Sequence, residues 1–269
     1  MTSVVLVAGA SSGVGREAAR ALALRGHQVY GSSRAPARVD VPGVVPVALE
    51  VADEGSVRAC VDHVLDRHGR LDALVYSVGF YVAGAAEETS DELALAQLRA
   101  YLLGAHRLVR AVLPAMRAQA AGRLVLMSST AAVAAIPFHS IYSASKAALS
   151  HYAEALRYEV APFGVQVACV EATSVRTGAA AAMRESEPIA GYEPVRTRVI
   201  DRFRRLQVDG PSPAPVAAGI VRAVESRRMR PVYRVGGQAR MLPWLRAVLP
   251  HPLFRHLYGR YFHLTRTSG

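Results

Sequence analysis

Ser3-Val4-Val5-Leu6-Val7-Ala8 runs without interruption into Gly9-Ala10-Ser11-Ser12-Gly13-Val14-Gly15. The first six residues are a short apolar run rich in β-branched side chains, the pattern of a strand buried on both faces. From Arg16 to Arg25 the spacing predicts a helix with Ala18, Ala19, Leu22 and Ala23 on its inner face, closed by Gly26. Strand, glycine-rich turn and helix in that order make the glycines a dinucleotide-binding turn. Gly9 allows the tight turn and Gly13 lets the backbone approach a pyrophosphate. Gly15 lets the helix pack close to the strand, and the helix N-terminus meets the anion.

The rest of the chain repeats the alternation. Further strands are expected at residues 28–33, 44–49, 71–77, 122–127, 165–170 and 231–235. Helices are expected at 54–67, from Ser90 to about Met116 with interruptions near Gly104 and Pro114, at 142–160, and at 216–227. This predicts an α/β fold: a Rossmann-type, doubly wound parallel sheet of about seven strands with helices on both faces, in a single domain over 1–269.

In such a sheet, ligands bind beyond the carboxyl ends of the strands. Gly9, Ser33, Ser77, Ser129 and Glu171 lie at such ends. The second strand ends in Ser33-Arg34, with no acid before Asp40, which favours the 2′-phosphate of NADP(H) over the 2′-hydroxyl of NAD. Tyr142-Ser143-Ala144-Ser145-Lys146 holds the only lysine among 32 basic residues. Tyrosine and lysine at i and i+4 share a helix face, and an ammonium there can lower a phenol's pKa and make it a general acid/base. Alone, the pair reads as an ordinary surface contact; its place after a strand end turns the reading toward chemistry. Ser129, 13 residues earlier, can hydrogen-bond the same substrate oxygen.

The composition bounds the rest. A net charge of +11 invites nucleic acid, but the arginines are scattered singly and no aromatic-interleaved basic stripe appears, so no nucleic-acid partner is expected. No membrane-spanning run or signal sequence is read, and a cytoplasmic location is expected. Cys60 and Cys169 lack metal-ligand spacing, so no metal site is expected, and both are read as buried, inert thiols.

These residues together resemble the short-chain dehydrogenase/reductase family, and most closely its hydroxysteroid and retinol dehydrogenase-like branch. Gly9, Ser11, Ser12, Gly13, Val14 and Gly15 match the glycine motif, with Ala8 where threonine is usual. Ser129, Tyr142 and Lys146 match the catalytic serine, tyrosine and lysine. The resemblance implies hydride transfer between a nicotinamide and a carbonyl carbon, with Tyr142 as proton donor, Lys146 lowering its pKa and holding the nicotinamide ribose, and Ser129 positioning the oxygen. It implies that Thr177, with Val175, holds the carboxamide, and that Glu50 and Val51 meet adenine. Three departures stand out. Tyr76-Ser77-Val78-Gly79 replaces an Asn-Asn-Ala-Gly run at the cofactor, Ala172-Thr173 replaces Pro-Gly, and Tyr101 stands in place of the asparagine of the catalytic tetrad. Tyrosine lacks an amide's paired donor and acceptor: its hydroxyl stands in, the relay is rerouted, or turnover is impaired.

Residues 178–210 take the place of a variable substrate lid, with helices expected at 179–183 and 195–206. Met183, Ile189, Tyr192, Phe203 and Leu206, with Phe80, Tyr81, Phe138 and His139, are candidate pocket walls for a bulky, apolar, polyketide-, steroid-, terpenoid- or retinoid-like substrate. A C-terminal extension covers 237–265. Packing of this extension on its own domain or on a second subunit is favoured over docking on membrane headgroups, because prolines 243, 250 and 252 break any long amphipathic helix. The family resemblance implies a homodimer or homotetramer. The expected activity is NADP(H)-dependent reduction of a ketone or oxidation of the alcohol; the alternative is a non-redox scaffold acting as cyclase, isomerase or ligand-binding protein.

Overall fold

A computed structural model describes residues 2–178 and 182–264. The chain opens with β1 (Val4–Ala8), α1 (Gly13–Leu24), β2 (Gln28–Ser33), β3 (Val44–Ala48), α2 (Glu54–His68) and β4 (Ala73–Tyr76). After β5 (Val82–Ala83) come α3 (Asp91–Leu98), α4 (Gly104–Ala118), β6 (Gly122–Met127), α5 (Ser140–Val160) and β7 (Val165–Ala172). The chain continues with β8 (Arg184–Glu185), α6 (Val195–Val208), α7 (Ala214–Glu225), β9 (Val232–Val235), α8 (Gly237–Val248) and α9 (His251–Tyr261).

Seven strands form one sheet in the order β3-β2-β1-β4-β6-β7-β9, every neighbouring pair parallel. Every residue of β1 and of β4 is buried, as the continuous apolar runs require when helices cover both faces. One face packs Leu6, Leu74, Leu124 and Val167 against α2, α4 and α5 through Val61, Val112 and Leu149. The other packs Val5, Val75 and Val170 against α1 and α7 through Leu22 and Ile220. The doubly wound parallel sheet is therefore as the sequence predicts.

The long helix after Ser90 differs in detail. The expected interruption near Gly104 is a π-turn, Arg99–Leu103, that joins α3 to α4 without breaking the rod. The fully buried Tyr76 donates its hydroxyl hydrogen bond to the Ala100 carbonyl in this turn, satisfying an acceptor in the widened ladder. Pro114 does not end α4. It is exposed, so the carbonyl left without its N–H partner can be hydrated. The helix expected at 179–183 falls largely outside the described residues; Ala182 lies in a turn and Met183 in irregular chain. Pro243 sits inside α8, and Pro252 falls in the first turn of α9, where its missing N–H costs nothing. Prolines thus divide the C-terminal segment at Pro250 but do not unwind it.

A feature absent from the sequence reading is a second, two-stranded parallel sheet, β5 with β8. It ties the start of the lid segment to the loop after β4. A buried ion pair fastens α6 beside it: Arg196 Nε lies 2.8 Å from Glu88 Oε2, with side chains only 6% and 0% exposed. Arg196 also donates to the Ser186 carbonyl at 2.7 Å. Glu88 accepts from the N–H groups of Ala85 at 2.7 Å and Ile189 at 2.9 Å.

Candidate active site

The carboxyl ends of β1, β4, β6 and β7 open on one cleft. Gly9, Ser12, Gly13, Val14, Ser77, Val78 and Gly79 line one end, and Tyr101, Ser129, Tyr142, Lys146, Val175 and Thr177 line the rest. Met127, Ser128, Ala172 and Thr173 complete the wall, with Phe80 and Tyr81. Glycine is required locally. Gly9 and Gly13 have φ of 86° and 54°, a region that L side chains rarely adopt. A Cβ on Gly15 would lie 2.1 Å from the Gly9 carbonyl oxygen, and one on Gly13 would lie 3.2 Å from Thr177 Cγ2. The first turn of α1 holds no acidic residue, and its N-cap Ser12 makes no side-chain cap bond. Backbone N–H groups at the positive end of α1 therefore face the cleft without an internal anion, which fits a dinucleotide pyrophosphate.

Ser11, Gly15, Arg34, Glu50 and Val51 stand outside the cleft lining. Arg34 and Arg38 are exposed beyond β2, where Ser33 closes a local turn by accepting from Ala35 N–H at 3.2 Å. Glu50 accepts from Ala52 N–H at 3.0 Å, and Val51 is buried beside α4. Glu171 points away from the cleft and pairs with Arg234 at 3.0 Å across β7 and β9.

Ser129, Tyr142, Lys146 and Tyr101 all line this cleft. Ser129 stands beside Tyr142 in the cleft wall and acts to lower its pKa, and its Oγ accepts from Ala131 N–H at 3.1 Å. Lys146 Nζ donates to the Met127 carbonyl at 2.7 Å and lies 4.0 Å from the centre of the Tyr101 ring. It is 6.0 Å from the centre of the Tyr142 ring. Tyr101 thus offers Lys146 an aromatic face, a favourable seat for an ammonium, where the resemblance implies an amide. Gly79 makes room for it: a Cβ there would lie 2.1 Å from Tyr101 Cε1.

Burial dominates the electrostatics. It raises the Tyr142 and Tyr101 phenols well above their ordinary value, while the neighbouring Ser129 hydroxyl acts in the opposite direction on Tyr142. The lowering of the Tyr142 pKa by Lys146 that the sequence leads one to expect is not among the influences on Tyr142, which burial leads. Lys146 itself is pushed down to about 7 by burial. Cys60 and Cys169 are buried, and burial raises both thiols to about 12.

The Lys146 shift carries a sign. Below pH 7 both folded and unfolded chains hold the proton, and the folded chain bears the full cost of the buried ammonium. Between about 7 and the lysine's ordinary value of 10.5, only the unfolded chain is protonated there, so stability rises with pH. Above about 10 the buried tyrosines reverse the trend, because only the unfolded chain ionises them. Denaturant midpoints measured across pH 6 to 9 are expected to climb, and the slope should flatten in Lys146→Met. Equal slopes in the two proteins would mean that Lys146 is charged when folded.

Tyr81 extends the cluster. Its ring meets Tyr142 edge-on at 4.9 Å and Phe203 at 5.1 Å. Tyr142 and Gln207 act to lower its pKa against burial, which raises it, and Gln207 Nε2 donates to Ser174 Oγ at 3.3 Å. Gln207 and Ser174 escaped the sequence reading. The available signal was a lone buried amide one turn after Phe203 on an arginine-rich helix. His139 packs on Phe203 at 4.2 Å and is neutral, with its pKa pushed down to about 4 by burial. It supports the pocket wall from behind.

Beyond Phe203 lies an apolar cavity of about 520 Å³. Phe203 and Leu206 of α6 line it, as expected. Most of its wall comes from α8 and α9: Leu242, Leu245, Leu249, Phe254, Tyr258 and Phe262. Phe254 and Phe262 are buried, and Tyr258 donates to the Ala134 carbonyl at 2.9 Å, so the extension packs on its own domain. Ile189 and Tyr192 do not line either space; Tyr192 bonds Glu87 at 2.8 Å. Thr173 lines both the cleft and the cavity.

Comparison with known proteins agrees with this geometry. A family model described as short chain dehydrogenase matches residues 3–188. A 3-ketodihydrosphingosine reductase of Bacteroides thetaiotaomicron is 37% identical over 175 residues. That match takes in 65% of this chain and 65% of the relative, so the chain spans just under two thirds of the relative's length. A solved short-chain dehydrogenase from Streptomyces avermitilis is 32% identical with a TM-score of 0.83, covering 100% of this chain and 99% of that one. A variant of actinorhodin polyketide ketoreductase, solved with NADPH, is 27% identical with a TM-score of 0.75, covering 88% of this chain and 97% of that one. The sheet order agrees with the sequence match, and the chain belongs to the short-chain dehydrogenase/reductase family of nicotinamide-dependent oxidoreductases.

Proposed function

We propose that the protein reduces a ketone, or oxidises the corresponding alcohol, on a bulky apolar substrate with NADP(H). The observation that carries this reading is the junction at Thr173, where the large apolar cavity meets the cleft holding Tyr142 and Ser129. A substrate with its apolar body in the cavity can present its oxygen to the two hydroxyls.

The bound nicotinamide would supply the hydride or accept it. The Tyr142 hydroxyl gives a proton to the carbonyl oxygen, and its high pKa keeps it in the acid form at neutral pH. The Ser129 hydroxyl holds the same oxygen. Lys146, with a pKa of about 7, can take up and release a proton near neutrality and so return one to the tyrosine. The ring of Tyr101 seats its charged form. The backbone N–H groups at the start of α1 would hold the pyrophosphate, and Arg34, exposed just beyond β2, would meet the ribose phosphate.

The test is turnover of the pure protein with NADPH and a panel of bulky ketones. Hydride transfer to at least one is expected. Rearrangement of a ligand with no change in NADPH absorbance would instead support the non-redox reading, which rests on Tyr101 in place of an asparagine, on Tyr76-Ser77-Val78 and on Ala172-Thr173. Arg34→Ala is expected to weaken NADPH binding about ten- to a hundred-fold, the scale of a charge-assisted hydrogen bond, and to leave NADH nearly unchanged. Equal effects on both cofactors would remove the NADP assignment.

A further inference from the structure

The C-terminal helices do more than roof the cavity. On α8, Met241, Trp244 and Val248 fall on one stripe and are 51%, 62% and 52% exposed. On α9, Leu253 and Leu257, one turn apart, are 45% and 49% exposed. Met241 and Leu257 also line the apolar cavity. The exposed stripe is therefore continuous with the cavity's rim. Exposed apolar groups grouped this way, on two short adjacent helices, mark an interaction surface.

Charge identifies the partner. Residues 226–269 contain nine arginines and no aspartate or glutamate. Arg240, Arg246, Arg255 and Arg260, on α8 and α9, are all exposed, and none has a carboxylate partner among the described residues. A face of this kind is poorly suited to a second copy of itself, because a two-fold interface would bring arginine against arginine. Apolar side chains amid uncompensated arginines suit an anionic lipid surface, where the first enter the acyl boundary and the second meet the headgroups. Among the described residues no helix is long and apolar enough to cross a membrane, so the contact is one of lying on the bilayer.

We infer that α8 and α9 dock the protein on a bilayer bearing anionic phospholipid, with the mouth of the apolar cavity turned toward the lipid. On the reading of that cavity as the substrate pocket, an apolar ketone would enter from the membrane without crossing water. The docking itself needs neither cofactor nor substrate, so it stands or falls apart from the redox assignment.

Trp244 is the only tryptophan in the chain and sits on the stripe, so its fluorescence reports the contact directly. With vesicles of phosphatidylcholine and phosphatidylserine, a blue shift is expected, with partitioning about ten-fold or more above that on phosphatidylcholine alone, and loss of binding in high salt. Arg240→Glu/Arg255→Glu is expected to lose the shift, and Val248→Ser/Leu253→Ser to weaken it at least several-fold. All four positions are exposed and outside the cavity lining, so thermal midpoints should match the parent. The inference is overturned by the absence of a shift with either vesicle, by equal binding to both lipids, or by a shift that appears with rising protein concentration and no lipid, which would assign the face to a second copy.

Discussion

Tyr142→Phe is expected to lower ketone reduction about a hundred- to ten-thousand-fold, the usual contribution of a positioned general acid. NADPH affinity should change little, because the phenyl ring keeps its edge contacts with Tyr81 and Tyr101, at 4.9 and 5.7 Å. Single-turnover kinetics and cofactor fluorescence separate the two effects. If reduction persisted near the parental rate, the proton would come from another group. Tyr81 is then the first suspect, because it lines the cleft with its ring edge-on to Tyr142 at 4.9 Å; Tyr101, whose ring also lines the cleft, is the second.

Glu88→Ala is expected to cost about 3 kcal/mol, the lower end for removing one member of a buried ion pair. Arg196 would keep Glu185 and Glu193 at 3.7 and 3.9 Å, too far to replace a hydrogen-bonded carboxylate but near enough to soften the loss. The cost should appear as faster amide exchange in α6, which the pair holds against the loop after β5. Removing both partners in Glu88→Ala/Arg196→Met should recover part of the loss, since no buried charge remains. Full additivity of the two changes would mean that the pair is not coupled. Burial alone would raise the Glu88 carboxyl, but the N–H groups of Ile189 and Ala85 and the Arg196 guanidinium outweigh it and hold the group below its ordinary value. The stabilisation is therefore complete above pH 4.5 and is lost as pH falls toward the lowered value.

The second expectation depends on how the lid is held, and little of that was legible in the sequence. Arg196 was one of many arginines, and Glu88 one of four neighbouring polar residues, 87–90, in a loop. Only folding puts them 2.8 Å apart in a dry site. The same holds for the cavity. Apolar residues at helical spacing in the last forty residues announce that something is covered, but not what. Their contacts are with Phe203, Thr173 and the segment around Ala134, far away in the chain. Proline positions misled the reading of α8, because one missing backbone bond is tolerated when the rest of the helix is packed.

What the sequence determined by itself was local or periodic. The apolar β-branched runs fixed a sheet buried on both faces, the glycines of Gly9–Gly15 fixed a tight turn close-packed against the start of α1, and the spacing of Tyr142 and Lys146 put them on one helix face. These follow from backbone sterics and helix geometry, which act between near neighbours. Tertiary structure decided the environment of the same groups. It took Lys146 to a backbone carbonyl and an aromatic face, pushed its pKa to about 7, and closed α8 and α9 over an apolar cavity. Desolvation and contact between distant segments are properties of the packed interior, and no short stretch of the chain encodes them.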